Sequence, residues 1–246
     1  MTMSRSTRKP SGIGSGEEIE KRMKNKLAIM PLQIRKTLKN KFEEYSMDVP
    51  QNVIDLNIDT ILNHQAKWKV TKPDRWNKII SAISNTKILN ESWYKSGSLL
   101  TFETLMYNYL YPKVDEYIAK YFTDRTKDLY HTEICWYVIY KDSGNIVPHN
   151  HWKTNQYLDL ELIDHCCSGA FYLKVPKESM REFHVYDKHP YAQGASKDNM
   201  RIIEEPVMKL RPEVNKLFLF PCDMYHAAVH EGKEPSMVIS FNVHFI

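Results

Sequence analysis

The hydrophobic pattern changes its period once, near residue 125, and that change limits the folds open to the chain. Before it, apolar residues recur every three to four positions, the spacing of one face of an α-helix. Ile19, Met23, Leu27, Met30, Ile34 and Leu38 form one stripe, Ile54, Ile58 and Ile61 a second, and Trp76, Ile79, Ile80 and Ile83 a third. A longer stripe runs from Leu99 to Phe122 through Leu105, Tyr109, Val114 and Ile118. Proline lacks the N–H that a helix interior needs, so breaks are expected at Pro31 and Pro112. After residue 130 the runs are short and strand-like: His131–Tyr140, Ala170–Val175, Phe183–Tyr186, Val207–Leu210, Leu217–Phe220, Tyr225–Val229 and Met237–Phe245. Turn-forming residues at Asp142–Asn145 and Glu231–Glu234 punctuate them. Helices first and many short strands last predict an α+β chain whose C-terminal half is a small antiparallel barrel or sandwich. The expected division is a flexible basic leader over 1–16, a helical region over 17–125 and a β-core over 126–246.

Charge separates along the same axis. Residues 1–26 hold seven Lys or Arg against three Glu, which accounts for the whole net charge of +4, so the rest of the chain is balanced. A body built to grip nucleic acid would carry a basic face of its own. The basic start is therefore expected to be a solvated arm, with contact to nucleic acid or an acidic partner as the functional reading. No run approaches the ~18 apolar residues of a membrane span, and residues 1–26 contain no apolar signal core. The four cysteines, Cys135, Cys166, Cys167 and Cys222, lack C-x2-C spacing and read as reduced core thiols. The expected location is the cytoplasm, or the host cytoplasm for a viral chain.

Several chemistries drop out. Gly12, Gly14 and Gly16 follow no strand and lack the spacing of a dinucleotide fingerprint. There is no phosphate loop, no H-E-x-x-H and no G-x-S-x-G. What remains is Pro148–His149–Asn150–His151–Trp152, just past a strand and a turn. In extended chain, residues i and i+2 point the same way, so His149 and His151 can face one point. A third histidine, His226, follows Leu217–Phe218–Leu219–Phe220–Pro221. Imidazole suits iron, zinc, copper and nickel, whereas a pair of surface histidines at a turn is the plain alternative.

The ordered set is more specific than any member. His149-x-His151, then Ser168–Gly169–Ala170–Phe171–Tyr172–Leu173, then Leu217–Pro221, then His226, then Ser240–Phe241–Asn242 resembles the 2-oxoglutarate/Fe(II)-dependent oxygenases. Within them it is most similar to an H-x-H branch found in marine microbes and their phages. The resemblance covers about residues 130–246. It implies a double-stranded β-helix, a jelly-roll or cupin-like barrel, with N-terminal helices buttressing one outer sheet. It also implies Fe(II) held by His149, His151 and His226, with His151 where most of the superfamily has Asp or Glu. Three ligands on one face of an octahedron leave positions for 2-oxoglutarate and dioxygen. The implied reaction is oxidative decarboxylation coupled to hydroxylation of a substrate whose identity stays open.

The superfamily anchors the distal carboxylate of 2-oxoglutarate with Arg or Lys, often ten residues after the last histidine, where this chain has Ser236. Lys174 and then Lys233 are the expected substitutes. If Tyr172 points inward, Lys174 should as well. Tyr172, Ser236 and Asn242 complete the expected cosubstrate set, and Trp152 is the expected substrate contact. The stretch 152–167 is longer than the branch usually has. Its Asp159, Glu161, Asp164 and His165 read as a lid, a substitute ligand or a solvated loop. Two other readings stay open. One is a non-catalytic β-helix assembly or binding module, such as a virion component docked by the basic arm. The other is a cupin-type metal enzyme without 2-oxoglutarate, which is disfavoured because the first Glu after His151 is Glu161, ten residues on.

Overall fold

The computed structural model describes residues 41–71, 88–92, 100–126, 128, 130–140, 144–151, 164–178, 180–191 and 202–245. Backbone contacts separate Met1–Thr37 from a second compact unit, Leu38–Ile246, to which all of these belong. The expected leader, the stripes Ile19–Leu38 and Trp76–Ile83, and Trp152, Asp159 and Glu161 lie outside the described residues.

Among the described residues, ten strands form two antiparallel sheets. Strands β1 (Glu43–Ser46), β2 (Ile88–Ser92), β3 (Tyr130–Tyr140), β5 (Asp164–Lys174), β8 (Lys216–Phe220) and β10 (Ser236–Phe245) make a six-stranded sheet in the order β1-β8-β5-β10-β3-β2. Strands β4 (Ile146–His149), β6 (Met180–Tyr186), β7 (Met208–Leu210) and β9 (Tyr225–Glu231) make the other, in the order β4-β9-β6-β7. From β3 to β10 the chain passes from one sheet to the other at every connection except β6–β7. That winding is the double-stranded β-helix.

Side-chain alternation builds two apolar layers on this frame. Along β8, Leu217 and Leu219 face one way and Phe218 and Phe220 the other, and all four are buried. Phe218 and Phe220 join Val138, Tyr140, Ala170, Tyr172, Phe183, Val185 and Val238 between the sheets. Leu217 and Leu219 join Phe171, Leu173, Ile239, Phe241 and Val243 on the outer face. Helices cover that face: α1 (Gln51–Thr71) brings Ile54 and Ile61, and α2 (Leu100–Leu105) brings Leu105. Helix α3 (Tyr111–Tyr121) adds Val114, Tyr117 and Ile118. The expected buttress is present.

Three details depart from the sequence reading. The region expected to be helical also supplies β1, paired with β8, and β2, paired with β3. Pro112 does not break its helix. One π-helical turn, Met106–Leu110, joins α2 to α3, and the Tyr111 N–H donates to the Met106 carbonyl. Pro112 then falls in the first turn of α3, where a missing N–H costs nothing. Finally, Asp164 and His165 are not in a loop: β5 begins at Asp164, and His165 pairs with His244 of β10.

Candidate metal centre

His149 and His226 meet because their strands pair. The β4–β9 register places them directly opposite each other, with ring centroids 4.3 Å apart. His151 lies beyond the end of β4, at a bend, so strand alternation does not aim it. Its N–H instead donates to the Cys222 carbonyl (2.8 Å), tying the bend to the β8–β9 turn. Its ring lies 5.3 Å from that of His149 and 4.8 Å from that of His226. One ligand nitrogen from each of the three lies within 4.8 Å of the others. Among the described residues this is the one such cluster of histidine, cysteine and carboxylate groups.

Each Nδ1 is already engaged, which leaves Nε2 for a metal. His149 Nδ1 donates to the Val147 carbonyl (2.9 Å) and His226 Nδ1 to the Met224 carbonyl (3.1 Å). His151 Nδ1 lies 2.8 Å from both Ser168 Oγ and Asn242 Oδ1. A ligating histidine usually has its other ring nitrogen held in this way. Burial holds the His149 pKa below the ordinary histidine value. Burial, with repulsion from His149 and His151, pushes His226 well below it. Both are therefore neutral near pH 7, the form that binds a metal. The walls are aromatic: Phe183 stacks on His226 at 5.4 Å, Phe220 lies 4.7 Å from it, and Trp136 meets His151 edge-on at 5.4 Å.

The motifs that looked separate in sequence are one patch of sheet. Across β5 and β10, Ser168 pairs with Asn242, Gly169 with Phe241 and Ala170 with Ser240. Across β5 and β8, Ser168 pairs with Phe220 and Ala170 with Phe218. Ser168, Asn242 and Phe220 all reach the histidines.

The expected cosubstrate residues scatter. Tyr172 is buried between the sheets. Lys174 is half-buried at the end of β5, past a bulge between Met237 and Val238 of its partner strand that interrupts the alternation from Tyr172. Lys233 is exposed in the β9–β10 turn, away from the barrel interior. Ser236 is buried, but its hydroxyl donates to the Lys174 carbonyl (2.9 Å), a bond that closes the sheet.

The buried cation is one that sequence reasoning missed. Arg181 on β6 is 3% exposed, with its guanidinium carbon 3.6 Å from the Tyr140 ring centroid and 5.8 Å from that of Tyr172. One terminal nitrogen donates to the Val229 carbonyl (3.1 Å), and Nε has no hydrogen-bond partner among the described residues. No carboxylate pairs with it among the described residues. A buried charge left this way costs several kcal/mol, so the site favours an anionic guest. Arg181 pairs with His230 four residues along β6 and β9 from the Val185–His226 pair, about 13 Å in strand length. Its alternation with Phe183 and Val185 was a usable signal: Arg181-x-Phe183-x-Val185 puts all three on the inward face. The expected strand began at Phe183 and so left Arg181 out.

A cavity of about 720 Å³ also borders Arg181. It lies beyond the start of β6, among Lys177, Glu178, Arg211 and Glu213, and none of the three histidines lines it.

Comparison with known proteins agrees with this geometry. Residues 134–242, a little under half of the chain, match the 2OG-Fe(II) oxygenase family. No protein of curated function matches the chain in sequence. Among solved structures, the viral collagen prolyl hydroxylase of Paramecium Bursaria Chlorella virus-1, in complex with 2OG, is 12% identical. The likeness covers 84% of this chain and 96% of that one, with a TM-score of 0.48. A Pseudomonas putida prolyl-4-hydroxylase is 11% identical over 83% of this chain and 91% of that one, with a TM-score of 0.42. HygX from Streptomyces hygroscopicus, with nickel and 2-oxoglutarate bound, is 9% identical over 87% and 85%, with a TM-score of 0.45. The matched segment holds all three histidines, both halves of the Ser168–Asn242 pairing and Arg181, so it is this part of the chain that is similar to the 2OG-Fe(II) oxygenases.

Proposed function

We propose that the protein is an Fe(II)- and 2-oxoglutarate-dependent oxygenase that hydroxylates a C–H bond, with His149, His151 and His226 as its metal ligands. The observation that carries the reading is the convergence of three imidazoles whose Nδ1 atoms are all engaged. Together, iron and 2-oxoglutarate supply the oxidation: one atom of dioxygen leaves in succinate, carbon dioxide is released, and the other atom enters the substrate as a hydroxyl. Burial holds His149 and His226 neutral, so protons compete weakly for them. Phe183, Phe220 and Trp136 keep water from the histidines. Arg181, in place of the expected Lys174 or Lys233, meets the distal carboxylate of 2-oxoglutarate with Tyr140 and Tyr172 beside it. A bidentate guanidinium suits a carboxylate better than a lysine does. The buried thiols Cys167 and Cys222 support a reducing, cytoplasmic setting.

The test is anaerobic titration with Fe(II) and 2-oxoglutarate, following the visible band of the chelate. Wild type should develop it. Arg181→Met removes one partner of a buried charge pair, a loss of about 2–5 kcal/mol, so 2-oxoglutarate should bind about 30-fold more weakly or worse. Lys174→Met and Lys233→Met should bind as wild type does. An unchanged Arg181→Met would remove Arg181 from the site, and a wild type without the band would remove the oxygenase reading.

A further inference from the structure

Two of the three histidines are oriented by their own strands. His149 and His226 each donate Nδ1–H to the carbonyl two residues back, a bond that local geometry provides. His151 lies past the end of its strand. Its Nδ1 partners are side chains 17 and 91 positions away, Ser168 and Asn242. These two also bond each other, Ser168 Oγ donating to Asn242 Oδ1 at 2.8 Å, and Ser168 Oγ lies 3.2 Å from Cys222 Sγ. Ser168 and Asn242 are fully buried, and His151 and Cys222 nearly so.

Resting on the metal reading above, we propose that Asn242 is the positioning residue that makes His151 a ligand, by fixing its Nδ1–H tautomer and ring angle. The chemistry of the partners singles out Asn242. A serine hydroxyl can donate or accept, so Ser168 alone would tolerate either tautomer of His151. A carboxamide oxygen can only accept, so Oδ1 at 2.8 Å requires the proton on Nδ1 and leaves the Nε2 lone pair bare. The opposite face of the same amide, Nδ2, is buried without a hydrogen-bond partner among the described residues. His151 also stands where most of the superfamily places a carboxylate. An acceptor on its Nδ1 raises the donor strength of Nε2 and offsets part of that lost charge.

Two measurements test this on the full chain. In the metal-free protein, long-range proton–nitrogen correlation of the imidazoles should show His151 protonated on Nδ1. Asn242→Ala should move proton population to Nε2. In a Co(II) titration followed by its visible bands, Asn242→Ala should weaken binding about 10–100-fold and change the band pattern. Asn242→Asp, which keeps the shape and adds an anion, should restore the tautomer and bind Co(II) at least as tightly as wild type. A residue that merely packs would lower the thermal midpoint of the variants and leave tautomer and bands alone, and that result overturns the proposal. Should Asn242→Ala fail to fold, Asn242→Asp decides: a folded variant with weaker Co(II) binding than wild type overturns it as well. Wild type that binds no Co(II) defeats the metal reading, whereas wild type that binds while the variants match it defeats only the role of Asn242.

Discussion

Gly169 is a position where the absence of a side chain is what the structure uses. It sits opposite Phe241 in the β5–β10 ladder, and a Cβ placed on it would lie 2.1 Å from the tip of the Phe241 ring. The ring lies over the glycine and fills the outer layer beneath the helices. Gly169→Ala forces that ring out of its place, and such overpacking costs about 1–3 kcal/mol. For a chain of this size that lowers the thermal midpoint by roughly 2–4 °C per kcal/mol, which a melting curve resolves. Ala170→Gly, on the other face of the same strand, makes a useful contrast, since it removes volume and adds no clash. The same strand shows what was legible at this scale. Ser168–Gly169 and Phe241–Asn242 stood out as motifs through the resemblance they carry, as parts of one ordered set. That they pair with each other was not legible, because pairing depends on a register set between residues 74 positions apart. Arg181 was missed for a local reason: a charged residue at the start of a strand looks like surface until the far sheet covers it.

At the level of elements, long and regularly patterned segments were readable, as was short β7, whereas the edge strands β1 and β2 were not. The alternation in β6 and the stripe in α3 each announce a face that must be buried, and both bury it. Glu43–Ser46 has no such pattern; it is a strand because β8 offers an unpaired edge for it to bond. Just ahead of it, Phe42 turns into the space between the sheets, 5.3 Å from Phe218 and stacked on Phe220 at 6.2 Å. Phe220 and Phe183, which Phe42 also meets at 6.0 Å, are the rings that touch His226. So the edge strand carries a residue from outside the family-matched segment into the wall of the metal centre. Phe→Ala at a fully buried site costs about 3–5 kcal/mol, and half-buried Phe42 should give about half of that. Phe42→Ala should therefore melt several degrees below wild type, with Glu44→Ala, on the exposed ladder beside it, nearly unchanged. Equal midpoints for the two variants would mean that Phe42 contributes nothing to the interior.

Across the whole molecule, the change of period near residue 125 marks where secondary structure changes, and the core crosses it. Phe171, Leu173, Leu217, Leu219, Ile239, Phe241 and Val243 lie on the outer face of the six-stranded sheet and are buried. What covers them is Ile54, Ile61, Leu105, Leu110, Val114 and Ile118, all from the N-terminal side of that change. Covering a large apolar side chain contributes about 1.5–3 kcal/mol, so seven of them contribute about 10–20 kcal/mol, comparable to the whole 5–15 kcal/mol by which a typical domain is stable. Residues 126–246, which contain every candidate ligand, should accordingly fail to fold alone. Expressed by itself, that fragment should aggregate or bind a hydrophobic dye and show no cooperative melt. The chain from Leu38 onward keeps both layers and the compact unit that holds them, and it should melt close to the full-length protein. A cooperative transition in 126–246 at the full-length midpoint would mean that the barrel is stable without its helices, and the outer layer would then be packing that the oxygenase core does not need.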